Sequence, residues 1–273
     1  MLEGIRVVAI ATNIPGPVAA ARLHQLGASV VKVEPLRGDP LAHASPTWYE
    51  TLTRGIAVER IDVRAPESAA RIDAYLLDAD LLLTAMRARA LRNAGLDWPR
   101  LHARYPRLCC VSLTGEAPPN DDRAGHDLTY QARAGTIAPP AIPRALIGDM
   151  AAAERVVSVA LALLLRRERN GEAGAANVAI TDAATDFAQP YAHGLTRENG
   201  VLGGALPAYN IYPAREGWVA VAALEPHFVQ RLLAMLEVEA VDAGALRAAF
   251  ALRSAQEWEQ LAQHHDVPLA AIR

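Results

Sequence analysis

The sequence contains little cysteine, no cluster of basic residues and no long apolar run. Its two cysteines, Cys109 and Cys110, are adjacent, so they are poorly placed to bridge each other and do not form a CxxC metal-binding pair. A formal net charge of −3 provides no attraction to nucleic acid or to an anionic membrane. No stretch approaches the roughly 18 apolar residues that cross a bilayer, and the N-terminus lacks the features of a signal peptide. We therefore expect a cytoplasmic protein without a metal site and without a nucleic-acid or membrane partner.

Glycine-rich phosphate-binding motifs are also absent. The turn after the first predicted strand reads TNIPGP, in which a single glycine stands between two prolines. This turn matches neither the GxGxxG pattern of dinucleotide-binding proteins nor a P-loop. The sequence therefore lacks the motif that would best support NAD binding.

Short apolar segments alternate with helical patterns through the first two hundred residues. This alternation is typical of βαβ units, and it predicts an α/β fold with a doubly wound, mostly parallel, Rossmann-like sheet. A long helix is predicted from Asp149 to about Asn170, where basic residues precede Gly171. The pattern changes after Gly203, so we expect a large domain over 1–203 and a smaller α+β domain over 204–273. The predicted strands of the large domain cover residues 5–11, 29–33, 56–63, 81–83, 108–113 and 178–180.

Several segments, in the same order along the chain, resemble the family III CoA-transferase superfamily of the CaiB/BaiF type. They are LEGIRVVAIATNIPGPVAAARLHQLGASVVKVEPLRGDP, TRGIAVERIDVRAPES, GHDLTYQARAG, IGDMAAAERVVSVALALLLRRERNGEAGAANVAITDAA and GGALPAYNIYPAREGWVAVAALEPHF. Within that superfamily, GHD with the following Tyr130 and AALEP are most similar to the α-methylacyl-CoA racemase branch. The resemblance implies a large CoA-binding domain, an acyl-CoA thioester substrate and a homodimer. Coenzyme A would enter as part of the substrate, and no cofactor would be bound permanently.

The chain departs from the family pattern at three places. Met150 and Ala151 to Ala153 follow Asp149, where the family usually has glycines, and Arg87-Ala88-Arg89 stands where the family has Arg-Pro-Gly. Most members continue well beyond VPLAAIR, so we expect a small domain that is short at its C-terminal end. These departures keep open a third possibility besides the two enzymes considered below, a non-catalytic homologue that binds CoA esters.

Asp149 stands near the start of the long helix. An aspartate at that position can cap the helix, because its carboxylate accepts backbone N–H bonds and suits the helix dipole. The resemblance implies that it is also the catalytic aspartate of the family. In the transferases this residue attacks the acyl thioester, and in the racemases it is one of two bases that flank the α-carbon.

His126 and Glu225 distinguish the racemase branch. A lone histidine is more often structural than catalytic, but the resemblance implies that His126 is the second base, and a histidine can act as acid or base near pH 7. Glu225 precedes a helix that begins at Pro226, so it either caps that helix or, as the resemblance implies, holds the catalytic histidine in position. Asp127 is interpreted as a cap for the helix through Tyr130.

Three arginines are candidates for the phosphates of coenzyme A, because a guanidinium binds phosphate with paired N–H donors. Arg87 matches the arginine of the family's Arg-Pro-Gly, and Arg64 stands where the family usually has lysine. Arg37 follows the second predicted strand. Each of them could equally be a solvated surface charge.

Two reactions remain open for an enzyme of this kind. The first is racemisation of a 2-methylacyl-CoA, in which His126 and Asp149 exchange the α-proton. The alternative is transfer of coenzyme A between an acyl-CoA and a carboxylic acid through an acyl-aspartyl intermediate at Asp149. The sequence does not identify the acyl group.

Overall fold

The computed structural model describes residues 1–273, and their contacts divide them into two units, Met1–Ala188 and Gln189–Arg273. The larger unit contains six strands: β1 (Arg6–Ile10), β2 (Ser29–Glu34), β3 (Ala57–Arg60), β4 (Leu81–Thr84), β5 (Cys109–Thr114) and β6 (Ala175–Ala179). All pairings are parallel, and the order across the sheet is β3-β2-β1-β4-β5-β6. This is the order of a doubly wound Rossmann-like sheet. The predicted fold class is confirmed.

Helices cover both faces of this sheet. They are α1 (Pro15–Gln25), α2 (Pro40–Ala44), α3 (Pro46–Thr53), α4 (Ala69–Leu76), α5 (Ala88–Ala94), α6 (Trp98–Arg104), α7 (Asp127–Ala134), α8 (Ile147–Asn170) and α9 (Ile180–Phe187). Successive strand residues point to opposite faces, so Val7 and Ala9 join one core whereas Val8 and Ile10 join the other. Helices α1, α8 and α9 complete the first core, and α4, α5 and α6 complete the second. Apolar residues on both faces explain why the strand segments read as continuous apolar runs.

Helix α8 is the long helix that the sequence predicts. It begins at Ile147 rather than at Asp149 and ends at Asn170, after which Gly171 adopts a left-handed conformation with a φ of 73°. Ala152 and Ala153 are fully buried where the helix packs against α1 and β5. Small side chains in this turn therefore bring α8 close to the sheet.

The second unit is built around a three-stranded antiparallel sheet. Its elements are α10 (Gln189–Ala192), β7 (Tyr209–Pro213), β8 (Trp218–Ala222), α11 (Pro226–Leu236), α12 (Ala243–Phe250), α13 (Ala255–His265) and β9 (Leu269–Ala271). In its core the Tyr212 ring stacks on the Phe250 ring at a centroid distance of 5.3 Å, and Phe250 meets Trp258 edge to face at 5.6 Å. The Trp258 indole donates to the Phe250 carbonyl at 2.8 Å, so its polar group is satisfied in the core.

Some predicted boundaries differ from the structure. The second unit begins at Gln189, whereas the sequence pattern places the boundary after residue 203. Residues between these points bond to one another, since the Leu202 N–H donates to the Leu195 carbonyl, and the next residue after them, Gly204, accepts the side-chain amide of Asn210 in β7. The pattern also fails to predict α2, α3 and β9, which are short. None of the helices combines the length and the apolar character that crossing a bilayer requires.

Candidate active site

Two cavities lie at the carboxyl ends of the parallel strands in the larger unit. The first, of about 530 Å³, is lined by Arg37 and Arg64, and we call it the Arg37 cavity. The second, of about 220 Å³, is lined by Asp149 and His126, and we call it the Asp149 cavity. Both cavities share residues that follow β1 and β4, namely Thr12, Ala85 and Met86. The order of strands reverses between β1 and β4, and open α/β sheets bind their ligands at such a switch point.

Asp149 occupies the third position of α8 and lines the Asp149 cavity. The N-cap position of this helix belongs to Leu146, and no backbone N–H bonds to the Asp149 carboxylate, so the capping interpretation is wrong. Burial raises the pKa of Asp149 from its ordinary value of 3.8 to about 7, and the charge of Asp127 adds to the effect. Near neutral pH the carboxyl group is therefore present in both its protonated and its ionised forms.

Asp127 connects α7 to the first turn of α8. Its Oδ1 accepts the backbone N–H of Asp149 at 3.0 Å, and its Oδ2 accepts the side-chain amide of Gln131 at 2.5 Å. The same amide nitrogen donates to the Ala145 carbonyl at 2.8 Å. Asp127 thus holds the segment that carries Asp149, and the interpretation of Asp127 as a cap for its own helix is wrong.

Gly148 permits this close approach of the two helices. A Cβ atom at residue 148 would lie 3.1 Å from Asp127 Oδ1 and 3.2 Å from Ile180 Cγ2, which is tighter than ordinary packing. A side chain at this position would therefore push Asp127 away from Asp149. This contact gives a physical reason for the glycine in the Gly-Asp pair.

His126 and Tyr130 reach the Asp149 cavity from the beginning of α7. His126 is the N-cap residue of α7, and its backbone N–H donates to the Thr129 hydroxyl at 3.2 Å. The Tyr130 ring packs against Gly125, where a Cβ atom would lie 2.5 Å from the phenolic oxygen. Burial, and then the charge of Asp149, raises the pKa of Tyr130, so its hydroxyl stays protonated and can donate a hydrogen bond.

The three predicted arginines all lie at the carboxyl edge of the sheet. Arg37 and Arg64 line the Arg37 cavity, and Arg87, immediately before α5, lines the Asp149 cavity. Arg64 makes an exposed ion pair with Asp62 at 3.2 Å. No carboxylate pairs with Arg87, which leaves its guanidinium free to bind an anion.

Glu225 belongs to the second unit, where it stands at the N-cap position of α11. Its side chain accepts no backbone N–H of that helix, so the capping interpretation is wrong. Its proposed partnership with His126 stays a prediction.

Residues that the sequence analysis does not single out also line the Asp149 cavity. Asn13 lies in the turn between β1 and α1, and Arg123 lies in the loop between β5 and α7. Arg123 is paired with Glu116 at 3.4 Å. Asn13 belongs to the TNIPGP turn, and Arg123 to no recognisable motif, but both lie in a segment that follows a parallel strand, and this position is the signal that could have identified them.

Comparison with known proteins places the whole chain in one family. The profile described as CoA-transferase family III matches residues 2–273. A succinyl-CoA–D-citramalate CoA-transferase of Chloroflexus aurantiacus is 28% identical over 81% of this chain and 61% of its own length. A probable fatty acyl-CoA transferase of Mycobacterium tuberculosis is 28% identical over 85% of this chain and 67% of its own length. The chain thus spans about two thirds of the length of these two relatives.

Solved structures agree with this assignment. A crystal structure of the same Mycobacterium tuberculosis protein has a TM-score of 0.86 and 26% sequence identity, and the match covers 99% of this chain and 83% of that one. A CaiB/BaiF family protein from Brucella suis has a TM-score of 0.81 over 100% of this chain and 84% of its own, but at 20% identity it supports only the fold. The chain belongs to the family III CoA-transferases.

Proposed function

We propose that the protein moves the α-proton of an acyl-CoA thioester and so racemises a 2-methylacyl-CoA. The observation that carries this proposal is that His126 and Asp149 line one cavity, where burial brings the pKa of Asp149 to about 7. A general acid–base group works best when its pKa lies near the operating pH. Racemisation requires two proton-transferring groups, and a histidine and a carboxyl group line this cavity.

The reaction proceeds through a planar enolate. One group removes the α-proton, which the thioester carbonyl acidifies, and the electron pair of the C–H bond passes to the carbonyl oxygen. The second group then returns a proton to the opposite face of the α-carbon while the carbonyl is restored. The Tyr130 hydroxyl is a neutral donor in the same cavity and is available to the enolate oxygen.

Coenzyme A would occupy the carboxyl edge of the sheet as part of the substrate. Arg37 and Arg64 supply cations in the larger cavity, and Arg87 supplies one in the Asp149 cavity. The two cavities share Thr12, Ala85 and Met86, so a thioester could extend from one into the other. The family resemblance implies that Glu225 orients the imidazole of His126, as a carboxylate orients the histidine of a catalytic triad.

Transfer of coenzyme A is the second candidate, and the names of the relatives favour it. Both relatives described above are CoA-transferases or probable transferases. In this reaction the Asp149 carboxylate would attack the thioester carbonyl and form an acyl-aspartyl anhydride, and coenzyme A would leave as the thiolate. A raised pKa makes the ionised form of Asp149 a stronger nucleophile, but it also lowers the fraction of this carboxyl group that is ionised at neutral pH.

Deuterium incorporation and hydroxamate trapping separate the two candidates. For a racemase, incubation with a 2-methylacyl-CoA in deuterium oxide introduces deuterium at the α-carbon, and His126→Ala abolishes racemisation in both directions. In the His126→Ala variant, Asp149 can still exchange the α-proton of one enantiomer with solvent. In Asp149→Asn, His126 should exchange the α-proton of the other enantiomer, again without racemisation. For a transferase, hydroxylamine traps an acyl hydroxamate, and Asp149→Asn ends turnover whereas His126→Ala only slows it.

The matched control is His264→Ala, because this exposed histidine lies in α13. It should leave activity unchanged. The racemase proposal fails if the wild-type protein introduces no deuterium into any branched acyl-CoA, or if His126→Ala retains full activity. Absence of both activities together with retained CoA-ester binding would favour the non-catalytic homologue.

We also propose that the protein is a cytoplasmic homodimer. The family resemblance supports the dimer, and two buried free thiols suit a reducing compartment. Light scattering at micromolar concentration measures the assembly directly. A mass equal to that of the 29.2 kDa chain would contradict the dimer.

A further inference from the structure

A buried ion cluster lies beside the two cavities. Lys32, Glu34 and Asp39 are all at most 1% exposed, although one of them is a cation and two are carboxylates. The Lys32 ammonium donates to Glu34 Oε1 and, at 2.7 Å, to Asp39 Oδ2. The Tyr49 hydroxyl donates to Glu34 Oε1 at 2.5 Å. The cluster contains two carboxylates and one ammonium, and buried charges are costly unless they are paired and hydrogen-bonded.

Asp39 also binds the turn between β1 and α1. Asp39 Oδ1 accepts the backbone N–H of Asn13 at 3.0 Å and that of Leu41 at 3.0 Å. Asn13 has a φ of 70°, which lies in the left-handed region. Residues other than glycine seldom adopt this conformation, although asparagine tolerates it better than most. The hydrogen bond from the Asn13 N–H to Asp39 therefore stabilises a backbone conformation that the chain would otherwise adopt rarely.

This turn forms part of the wall of the Asp149 cavity. Thr12, Asn13 and Pro15 line it, and Thr12 also lines the Arg37 cavity together with Glu34 of the ion cluster. The turn is tight, because a Cβ atom on Gly16 would lie 2.5 Å from the Ala11 Cβ. A change of φ at Asn13 would therefore move the cavity wall rather than be absorbed within the turn.

We infer that the ion cluster of Lys32, Glu34 and Asp39 positions the wall of the Asp149 cavity by holding Asn13 in its left-handed conformation. None of the three residues lines the Asp149 cavity, so they affect the reaction there as positioning residues. The inference rests on the proposed function, because the reaction at Asp149 supplies its main readout. It adds a role for a part of the molecule that the acid–base mechanism does not use.

Asp39→Ala is the direct test. The substitution removes the acceptor of the Asn13 N–H but leaves Lys32 paired with Glu34, so the buried charge becomes neutral and the variant should fold. A displaced cavity wall should lower kcat by about 100-fold with little change in KM, because small misplacements near reacting groups carry penalties of this size. The matched control is Asp80→Asn, which removes the negative charge that Asp80, just before β4, places against the buried Arg167. It should lower Tm without lowering kcat.

A substitution at Asn13 allows a rescue experiment, and a merely structural role of Asp39 would not predict its outcome. Glycine adopts a φ of this sign without steric cost, so Asn13→Gly combined with Asp39→Ala should recover about tenfold or more of the lost kcat. The Tm of the double variant should stay at the value of Asp39→Ala. Asn13→Ala in the wild-type background should instead lower kcat in the manner of Asp39→Ala. Wild-type kcat in Asp39→Ala, no rescue by glycine, or an equal loss of kcat in Asp80→Asn would each overturn the inference.

A second readout keeps this test separate from the proposed reaction. If the wild-type protein neither exchanges an α-proton nor transfers coenzyme A, then the proposed function is wrong. Hydrogen–deuterium exchange of the peptide that contains Asn13 still measures the positioning effect. Faster exchange of this peptide in Asp39→Ala than in Asp80→Asn supports the inference, and unchanged exchange refutes it.

Discussion

Replacement of Asp149 by asparagine should make the protein more stable at alkaline pH even as it removes activity. Burial raises the pKa of the Asp149 carboxyl from 3.8 to about 7 in the folded protein. An acid with a raised folded pKa costs no stability at low pH, where it is protonated in both states. The free energy of unfolding then falls as the pH rises from 3.8, the ordinary pKa, through about 7, because the Asp149 carboxyl ionises at lower pH in the unfolded chain than in the folded protein. Asparagine resembles the protonated carboxyl and does not ionise.

The magnitude follows from the shift of about three pKa units, each worth about 1.4 kcal/mol. In the wild-type protein the raised pKa lowers the free energy of unfolding by at most about 4 kcal/mol at about pH 8 and by about 2 kcal/mol at about pH 5. The advantage of Asp149→Asn over the wild type should therefore grow by about 2 kcal/mol across this range.

Urea denaturation at a series of pH values measures this difference. Asp186→Asn is the matched control, because this exposed aspartate of α9 is paired with Arg155 on the surface. The control should follow the wild-type pH dependence. The reasoning is refuted if the stability difference between Asp149→Asn and the wild type does not change with pH, or if the variant is less stable than the wild type at about pH 8.

Two further expectations concern the same edge of the sheet. Asp127→Asn keeps an acceptor for the Asp149 N–H but removes a charge, so the pKa of Asp149 should fall and the acidic limb of the pH–rate profile should move to lower pH. An unmoved profile would exclude Asp127 as a cause of the raised pKa. Arg64→Ala and Arg87→Ala should each weaken coenzyme A binding by about 1–3 kcal/mol in calorimetry. Arg71→Ala, which removes a surface ion pair with Glu59, should leave that binding unchanged.

The strands and helices with a regular apolar pattern could be predicted from the sequence, because burial on both faces makes strands such as β4 and β5 mostly apolar. The signals that identify the candidate site are local, since Asp149 and His126 each stand within a short motif. The role of Asp127 could not be predicted in this way, because its contact with the Asp149 N–H joins two helices whose approach depends on the absence of a side chain at Gly148.

The ion cluster illustrates the same limitation. Lys32 and Glu34 occupy β2 and read as alternating charges on a strand, a pattern usually associated with solvent exposure. They are buried because Asp39 and Tyr49, which follow β2 along the chain, cover them. The sequence also implies no left-handed conformation at Asn13, since the acceptor of its N–H lies in a different loop.

The adjacent cysteines of β5 belong to different layers of the larger unit. Cys109 packs in the core shared with α1 and α8, whereas Cys110 packs in the core shared with α4, α5 and α6. Burial raises the pKa of Cys110 to about 12, so neither access nor ionisation favours its reaction with an alkylating reagent. Each thiol becomes reactive only when its own layer of helices moves away from the sheet. Labelling rates at two neighbouring positions of one strand thus report the opening of the two opposite faces separately.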